Sequence, residues 1–191
     1  KRILEVLDEE IEIQDESRES LTVEEGGITF DHVSFKYKKN AKEYVLSDVS
    51  LDIKPGQTVG IIGGTGSAKT TLVQLIPRLY EATEGEVLID GNPVKAYPLE
   101  HLRDAVAVVL QKNTLFTGTI EDNLRWGKED ATKEEIAWAC DIAGAAEFVE
   151  RFPEGYDTYL DQGGVNLSGG QKQRLCIARA VLKRPKILIL N

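Results

Sequence analysis

Alternation of apolar and polar residues dominates the first part of the chain and predicts β-strands that bury one face. The alternating apolar positions are Ile28, Phe30, Val33, Phe35 and Tyr37, and then Val49, Leu51 and Ile53. A further apolar segment, Glu86–Ile89, runs into Asp90-Gly91, a dipeptide typical of hairpin turns. These segments predict short strands joined by tight turns.

Three short runs lack this alternation and are apolar enough for the buried strands of a parallel sheet: Thr58–Ile62, Ala105–Leu110 and Lys186–Leu190. Helical patterns lie between them. One helix is predicted from about Lys69 to Tyr80, disturbed near its end by Pro77, and another from about Gly169 to Lys183. Strands that alternate with helices predict an α/β core.

The stretch from Thr119 to Phe152 has a different pattern, because its apolar residues recur at helical spacing. They are Ile136, Ala139, Cys140, Ala143 and Phe148. We therefore expect a helical insertion in the α/β core.

Charge and cysteine content exclude some classes of function. The net charge is −9, with 32 acidic and 23 basic residues, which argues against a surface that binds nucleic acid backbone or anionic lipid. The two cysteines, Cys140 and Cys176, are far apart and lack metal-ligand spacing. This usage predicts two reduced, packed thiols in a cytosolic protein.

The segment Gly63–Thr70 (GGTGSAKT) follows a predicted strand and opens a predicted helix, which is the context that a phosphate-binding loop requires. Glycines let backbone amides turn toward one point, and the helix start adds unpaired N–H groups and partial positive charge. Lys69 can reach the β- and γ-phosphates of a nucleotide, and Thr70 can offer its hydroxyl to Mg²⁺. The alternative is an ordinary glycine-rich turn between a strand and a helix.

One residue departs from the pattern of such loops, because Ala68 stands where glycine is expected. If the backbone there needs a positive φ, the methyl group costs about 1–2 kcal/mol. We expect weaker nucleotide binding, by about tenfold, rather than none.

A second segment, Asn166–Gln171 (NLSGGQ), stands at the start of a predicted helix. Ser168 is a favourable N-cap, and the two glycines after it expose backbone donors at a positive helix end. Taken alone, the segment is either a second anion site or simply a capped helix.

The two segments in this order, with Gln111 ending a strand between them, resemble the ATP-binding cassette (ABC) ATPases, whose signature is Leu-Ser-Gly-Gly-Gln. The resemblance covers essentially the whole chain. It implies an α/β fold with a P-loop NTPase (RecA-like) core, an N-terminal antiparallel β subdomain and an inserted α-helical subdomain. The expected divisions are a linker (1–25) and a nucleotide-binding domain (26–191), the latter made of 26–112, 119–165 and 166–191.

The resemblance also implies a role for each motif residue, with ATP and Mg²⁺ as cofactors. ATP would be bound by Tyr37, Gly63, Gly64, Thr65, Gly66, Ser67, Ala68, Lys69, Thr70, Thr71 and Gln111. The catalytic positions would be Lys69, Gln111 and Asn191, and the Mg²⁺ ligands Thr70 and Gln111. A partner domain's ATP would be met by Leu167, Ser168, Gly169, Gly170 and Gln171. Tyr37 would stack on adenine; the alternative is a half-buried strand tyrosine.

Further segments resemble the exporters that carry drugs, lipids or peptides: Thr114–Ile120, Asn123-Leu124, Trp126-Gly127 and Pro153–Thr158. Lys1–Asp8 resembles the segment that follows the last membrane helix of such exporters. The expected function is the ATP-binding motor domain of an exporter, at the cytoplasmic face of a membrane. Its expected partners are a second nucleotide-binding domain and a transmembrane domain fused before residue 1. ATP-dependent dimerisation and hydrolysis would drive export.

Asn191 stands where the family carries the aspartate that organises Mg²⁺, and the sequence stops there. The family's general base and switch histidine would follow, so we expect a domain truncated at its C-terminal end. A general base contributes about 10²–10⁴-fold, so hydrolysis by this chain alone should be very slow. Ala68 and Asn191 beside an intact signature fit the impaired-site subunit of a heterodimeric exporter. Engineered changes, or oddities at the edge of a fragment, are the alternative.

Two other classes of function could carry these motifs. One is a nucleotide-binding regulatory or dimerisation module with little or no hydrolysis. The other is a cassette ATPase of chromosome maintenance or DNA repair, which would carry a long coiled coil between Gln111 and Ser168. The compact helical pattern there disfavours it, and no nucleic acid partner is expected.

Overall fold

The computed structural model describes residues 13–15, 20–38 and 40–191. The segment Lys1–Asp8, expected to follow a membrane helix, lies outside these ranges. The chain forms two compact units, one ending at Arg103 and the other running from Asp104 to Asn191. The subdomain boundaries expected from the resemblance remain predictions.

A four-stranded antiparallel sheet forms the first unit. Its strands are β1 (Ile28–Phe35), β2 (Leu46–Ile53), β3 (Glu84–Ile89) and β4 (Asn92–Pro93), in the order β2-β1-β3-β4. All three pairings are antiparallel, as the family resemblance implied. The tight turn at Asp90-Gly91 joins β3 to β4, which confirms the predicted hairpin.

The helices near this sheet are short: α1 (Lys69–Gln74), a 3₁₀ turn (Val94–Ala96) and α2 (Leu99–Ala105). The prediction that α1 reaches Tyr80 is wrong. Pro77 has no backbone N–H to continue the helix, and Arg78 has a φ of 52°, outside the right-handed helical region.

The prediction of a buried strand at Thr58–Ile62 is also not met. The structure assigns no strand to this segment, all of its residues are exposed, and Ile62 is 98% exposed. A run of apolar residues becomes a strand only where a neighbouring strand takes up its backbone hydrogen bonds. The sheet of the first unit offers this segment no such partner among the described residues.

The second unit contains two strand pairs. Strands β5 (Val106–Val109) and β8 (Ile187–Leu190) are parallel, with Val106 opposite Ile187 and Val109 opposite Leu190. Strands β6 (Gly118–Thr119) and β7 (Tyr159–Leu160) are antiparallel. The predicted strands at Ala105–Leu110 and Lys186–Leu190 are thus confirmed, each one residue shorter at one or both ends.

Four helices accompany these strands, as the helical spacing predicted. They are α3 (Ile120–Arg125), α4 (Lys133–Ile142), α5 (Ala146–Val149) and α6 (Gly169–Leu182), with 3₁₀ turns at Gly155–Asp157 and Gln162–Gly164. Helices α3 and α4 begin with capping boxes, Thr119 with Asp122 and Thr132 with Glu135. Each box satisfies backbone N–H groups that the first turn leaves unpaired.

One apolar cluster packs these helices together. Its fully buried members include Ile120, Leu124, Ile136, Cys140, Leu160, Leu175 and Leu182. Both cysteines are buried free thiols, as predicted, and burial raises the pKa of the Cys140 thiol to about 11. In the described part of the chain no helix is long and apolar enough to cross a membrane.

The Asp90 carboxylate ties the segment before β1 to the β3–β4 hairpin. Its Oδ2 accepts the backbone N–H groups of Glu24 and Glu25, and its Oδ1 accepts those of Gly26 and Gly27, at 2.8–3.0 Å. Partial burial opposes ionisation, but the four N–H groups outweigh it and lower the pKa of Asp90 below its ordinary 3.8. The ionised form is therefore the one that the fold stabilises.

We expect Asp90→Asn to lower the free energy of unfolding by about 1–3 kcal/mol, because the amide NH₂ cannot accept the N–H groups that one oxygen now accepts. The folded-state pKa is depressed, so this stabilisation is present above pH 3.8 and is lost as the pH falls through the lowered pKa. Urea unfolding at several pH values measures it. Asp31→Asn, an exposed change on β1, is the control and should stay within about 0.5 kcal/mol. An Asp90→Asn chain as stable as the parent at neutral pH would contradict the prediction.

Candidate functional site

The loop Gly63–Ala68 leads directly into α1, so the predicted loop-to-helix junction is present. The loop turns on itself: the backbone N–H of Ser67 donates to the carbonyl of Gly64 at 3.2 Å, and Gly66 has a φ of 82°. The flanking elements differ from the prediction, because the preceding segment is irregular rather than a strand and α1 ends at Gln74.

The Lys69 ammonium group closes this loop. Its Nζ donates to the carbonyl oxygens of Gly63 (2.7 Å) and Gly64 (2.8 Å) and to Ser67 Oγ (3.2 Å). The side chain therefore lies over the loop rather than extending away from it. A flexible four-carbon stem lets the same ammonium exchange carbonyl oxygens for phosphate oxygens with little movement.

Ala68 has a φ of 60° and a ψ of 18°, so it occupies the left-handed region as the N-cap of α1. The structure thus confirms that φ is positive at Ala68, the backbone conformation in which the Cβ of alanine is unfavourable. No side chain caps the helix there, since alanine has no acceptor atom. Its carbonyl accepts the N–H of Leu72 at 2.9 Å, which starts the helical bonding.

Tyr37 lies beside α1, although it is two residues beyond the end of β1. Its hydroxyl is 2.7 Å from the Thr71 Oγ1, and the ring is 53% exposed. The ring also contacts two other aromatic side chains, Phe35 and Tyr80, at centroid distances of 4.9 and 5.2 Å. An aromatic face is therefore held next to the helix that follows the loop.

Gln111 and Asn191 lie near one another in the second unit. They follow neighbouring parallel strands, and the carboxyl ends of parallel strands meet at one edge of a sheet. The backbone N–H of Asn191 donates to the Val109 carbonyl at 3.0 Å, two residues before Gln111. Both residues are exposed.

Ser168 caps helix α6 as predicted. Its Oγ accepts the Gln171 backbone N–H at 3.3 Å, and the Gln171 Oε1 accepts the Ser168 N–H at 2.9 Å. Leu167 is buried in the apolar cluster and anchors the start of the helix. Gly169 and Gly170 are exposed, and a Cβ built on either would meet no heavy atom within 4 Å.

The segment Thr114–Ile120 makes contacts that its sequence did not predict. The buried Asn123 side chain accepts the Phe116 N–H at 2.8 Å and donates to the Phe116 carbonyl at 2.9 Å. Phe116 stacks on Trp126 with centroids 4.6 Å apart, beside a cavity of about 350 Å³. Trp126 is 69% exposed, so it is not a core residue. The dipeptides Asn123-Leu124 and Trp126-Gly127 could be recognised in the sequence. Their spacing could not predict the contacts that Asn123 and Trp126 make with Phe116.

Candidate metal ligands are few in the described residues, which contain no cluster of three or more His, Cys, Asp or Glu side chains able to hold a cation. The Thr70 hydroxyl, in the first unit, and the Gln111 amide, in the second, each offer an oxygen donor, and both residues are exposed. Mg²⁺ commonly takes one or two protein oxygens and completes its shell with phosphate and water. Each residue thus offers the type of donor that such an ion takes.

Comparison with known proteins agrees with this geometry. A relative from Bacillus subtilis (strain 168), described as a putative multidrug export ATP-binding/permease protein, is 51% identical over 166 residues, which is 87% of this chain and 28% of the relative. An ATP-dependent lipid A-core flippase of Chromobacterium violaceum is 45% identical over 177 residues, covering 93% of this chain and 30% of the flippase. The chain thus spans about a third of the length of these relatives.

Among solved structures, a bacterial Atm1-family ABC exporter with ATP bound matches all of this chain and 33% of its own, with a TM-score of 0.91 and 36% identity. This match supports the predicted P-loop NTPase fold. A family model described as ABC transporter covers residues 46–191, which contain the loop, Gln111 and the α6 segment. The chain belongs to the ABC transporter family.

Proposed function

We propose that this chain binds ATP with Mg²⁺ as the motor domain of an ABC exporter. The Lys69 ammonium, seated over the loop by three hydrogen bonds, carries the proposal, because it lies at the start of a helix where phosphate oxygens can replace its present acceptors. The names of the relatives, which combine export with ATP binding, support the assignment to an exporter.

Each site residue has a chemical part in this proposal. Loop amides and Lys69 bind the triphosphate, and Tyr37 offers its ring to the adenine. As the resemblance implies, the Thr70 hydroxyl and the Gln111 amide oxygen would be the protein ligands of the ion. Bound Mg²⁺ would neutralise charge on the β- and γ-phosphates. Electrostatic complementarity of this kind places the terminal phosphate for attack by water.

The proposal includes slow hydrolysis by this chain. The Asn191 side chain is neutral where the resemblance implies an aspartate, so it supplies no charge to the ion's bound waters. Ala68 reduces the population of the loop conformer that binds phosphate, because φ 60° is unfavourable for any residue with a Cβ. Together these residues support the impaired-site subunit of a heterodimeric exporter.

Partners and location follow from the same reasoning. The chain spans about a third of its relatives, so we propose that a transmembrane domain of the same transporter accompanies it at the cytoplasmic face of a membrane. The exposed glycines at the start of α6 would face the nucleotide of a second nucleotide-binding domain. Closure of the two domains on ATP would then move the membrane domain.

We expect Lys69→Met to weaken Mg²⁺-ATP binding by about ten- to a hundredfold, because a hydrogen-bonded charge contributes about 1.5–3 kcal/mol. Methionine keeps a similar length of stem, so the change removes the charge with little loss of volume. Equilibrium titration with a fluorescent ATP analogue measures it. Lys133→Ala, at the exposed start of α4, should bind as the parent does. Equal affinity of Lys69→Met and parent would reject the phosphate-loop assignment.

We expect Ala68→Gly to tighten Mg²⁺-ATP binding by up to about tenfold, because glycine populates the left-handed region without the 1–2 kcal/mol that a Cβ costs. The same titration measures the gain. The matched control is Ala137→Gly on the exposed side of α4, where glycine should lower stability by about 0.5–1 kcal/mol and leave ATP affinity unchanged. An unchanged or weaker affinity for Ala68→Gly would show that φ 60° is not the conformation that binds phosphate.

We expect Gly170→Asp to abolish ATP-dependent dimerisation while each chain keeps its own ATP affinity. A side chain there meets no neighbour, and an aspartate in the first turn favours the helix, so the fold is preserved. Its charge would repel a partner's triphosphate. Sedimentation velocity with and without Mg²⁺-ATP measures the dimer, and phosphate release is recorded in parallel. Dimerisation that survives Gly170→Asp would remove α6 from the interface, and robust phosphate release by the parent chain would reject the impaired-site role.

A further inference from the structure

Three aromatic rings form a cluster next to α1, which we call the aromatic cluster: Phe35, Tyr37 and Tyr80. Phe35 and Tyr80 each meet Tyr37 nearly at right angles, with interplanar angles of 83° and 85°. They also contact each other, at a centroid distance of 5.5 Å. Phe35 is buried, whereas Tyr37 and Tyr80 keep exposed surface. The Tyr37 ring is therefore held by two neighbours, one from its own strand and one from beyond α1.

A hydrogen bond joins this cluster to the helix that follows the phosphate loop. The Tyr37 hydroxyl oxygen lies 2.7 Å from Thr71 Oγ1, and Thr71 is only 5% exposed. Thr71 is the third residue of α1, two positions after Lys69. The aromatic ring and the phosphate loop are thus connected by one side-chain bond and about half a turn of helix.

These contacts change the free-energy cost of orienting the Tyr37 ring, not the binding of the phosphates. A half-exposed tyrosine beyond the end of a strand can adopt several rotamers, and fixing one on ligand binding costs about 0.5–1.5 kcal/mol. Contacts that hold the ring beforehand remove that cost. Edge-to-face aromatic pairs contribute on the same scale, beyond the area they bury.

We infer that Thr71 and Tyr80 are positioning residues for base recognition: they hold the Tyr37 ring in the orientation that receives the adenine. The inference rests on the proposed ATP-binding function. In this arrangement the Tyr37 hydroxyl has a role beyond stacking, since it sets the distance between the ring and α1. Nucleotide affinity therefore depends on two side chains that need not touch the base.

A double-mutant cycle on the full chain tests the hydroxyl bond. Tyr37→Phe and Thr71→Val should each weaken Mg²⁺-ATP binding about three- to tenfold, and the double variant should be no weaker than either single one. Thr71→Ser restores the hydroxyl and should restore most of the affinity. Tyr159→Phe, on β7 in the second unit, is the control for loss of a tyrosine hydroxyl. Fully additive losses, or a Tyr37→Phe variant that binds as the parent does, would overturn the inference.

Inorganic tripolyphosphate separates base positioning from phosphate binding. Its affinity should be unchanged in Tyr37→Phe and Tyr80→Ala, whereas ATP affinity falls in each, and Tyr80→Phe should recover the loss of Tyr80→Ala. Thr71→Val should lower the affinity for ATP more than the affinity for tripolyphosphate. If Thr71→Val weakens tripolyphosphate as much as ATP, Thr71 acts on the phosphates and the inference is wrong. Lys69→Met should weaken both ligands. A parent chain that binds neither ligand contradicts the ATP-binding function itself, and the inference falls with it.

Discussion

The site depends on the position of the Lys69 ammonium group, which is hydrogen-bonded to carbonyl oxygens of its own loop. Without a cation there, the carbonyl oxygens of Gly63 and Gly64 would each lose a hydrogen bond, and Gly64 would keep the one from the Ser67 N–H. The ammonium group satisfies them and at the same time places positive charge at the start of α1, where the helix dipole has the same sign. The Lys69 ammonium group therefore both stabilises the loop conformation and attracts phosphate.

Much of the architecture follows from local pattern. Alternation located β1 and β2, because a sheet with one buried face imposes a period of two. Asp90-Gly91 located the β3–β4 hairpin, since both residues adopt the positive φ that tight turns need, at 49° and 78°. Ser168 marked the start of α6 as an N-cap, and the structure adds the reciprocal bond from Gln171, three residues further on, that completes a capping box.

The differences arise where structure depends on distant partners. The apolar character of Thr58–Ile62 is genuine, but pairing is not local and the run alone cannot reveal which strand would accept it. The end of the helix after Lys69 has a local cause instead, because its pattern continues past Gln74 in the sequence while the backbone turns at Pro77 and Arg78. The hydrogen bond between Tyr37 and Thr71 joins residues 34 positions apart, and neither residue type in the sequence predicts the other as its partner. The loop residues themselves were found because their chemistry is carried by one contiguous segment.

The glycine pair at the start of α6 has a thermodynamic consequence of its own. Glycine is less favourable than alanine in a helix, by about 0.8–1.0 kcal/mol at an interior position, and neither Gly169 nor Gly170, in the first turn of α6, gains packing in return, because open space surrounds both. The bare backbone therefore adds no packing to the isolated molecule, and it leaves that helix end open to close approach from outside.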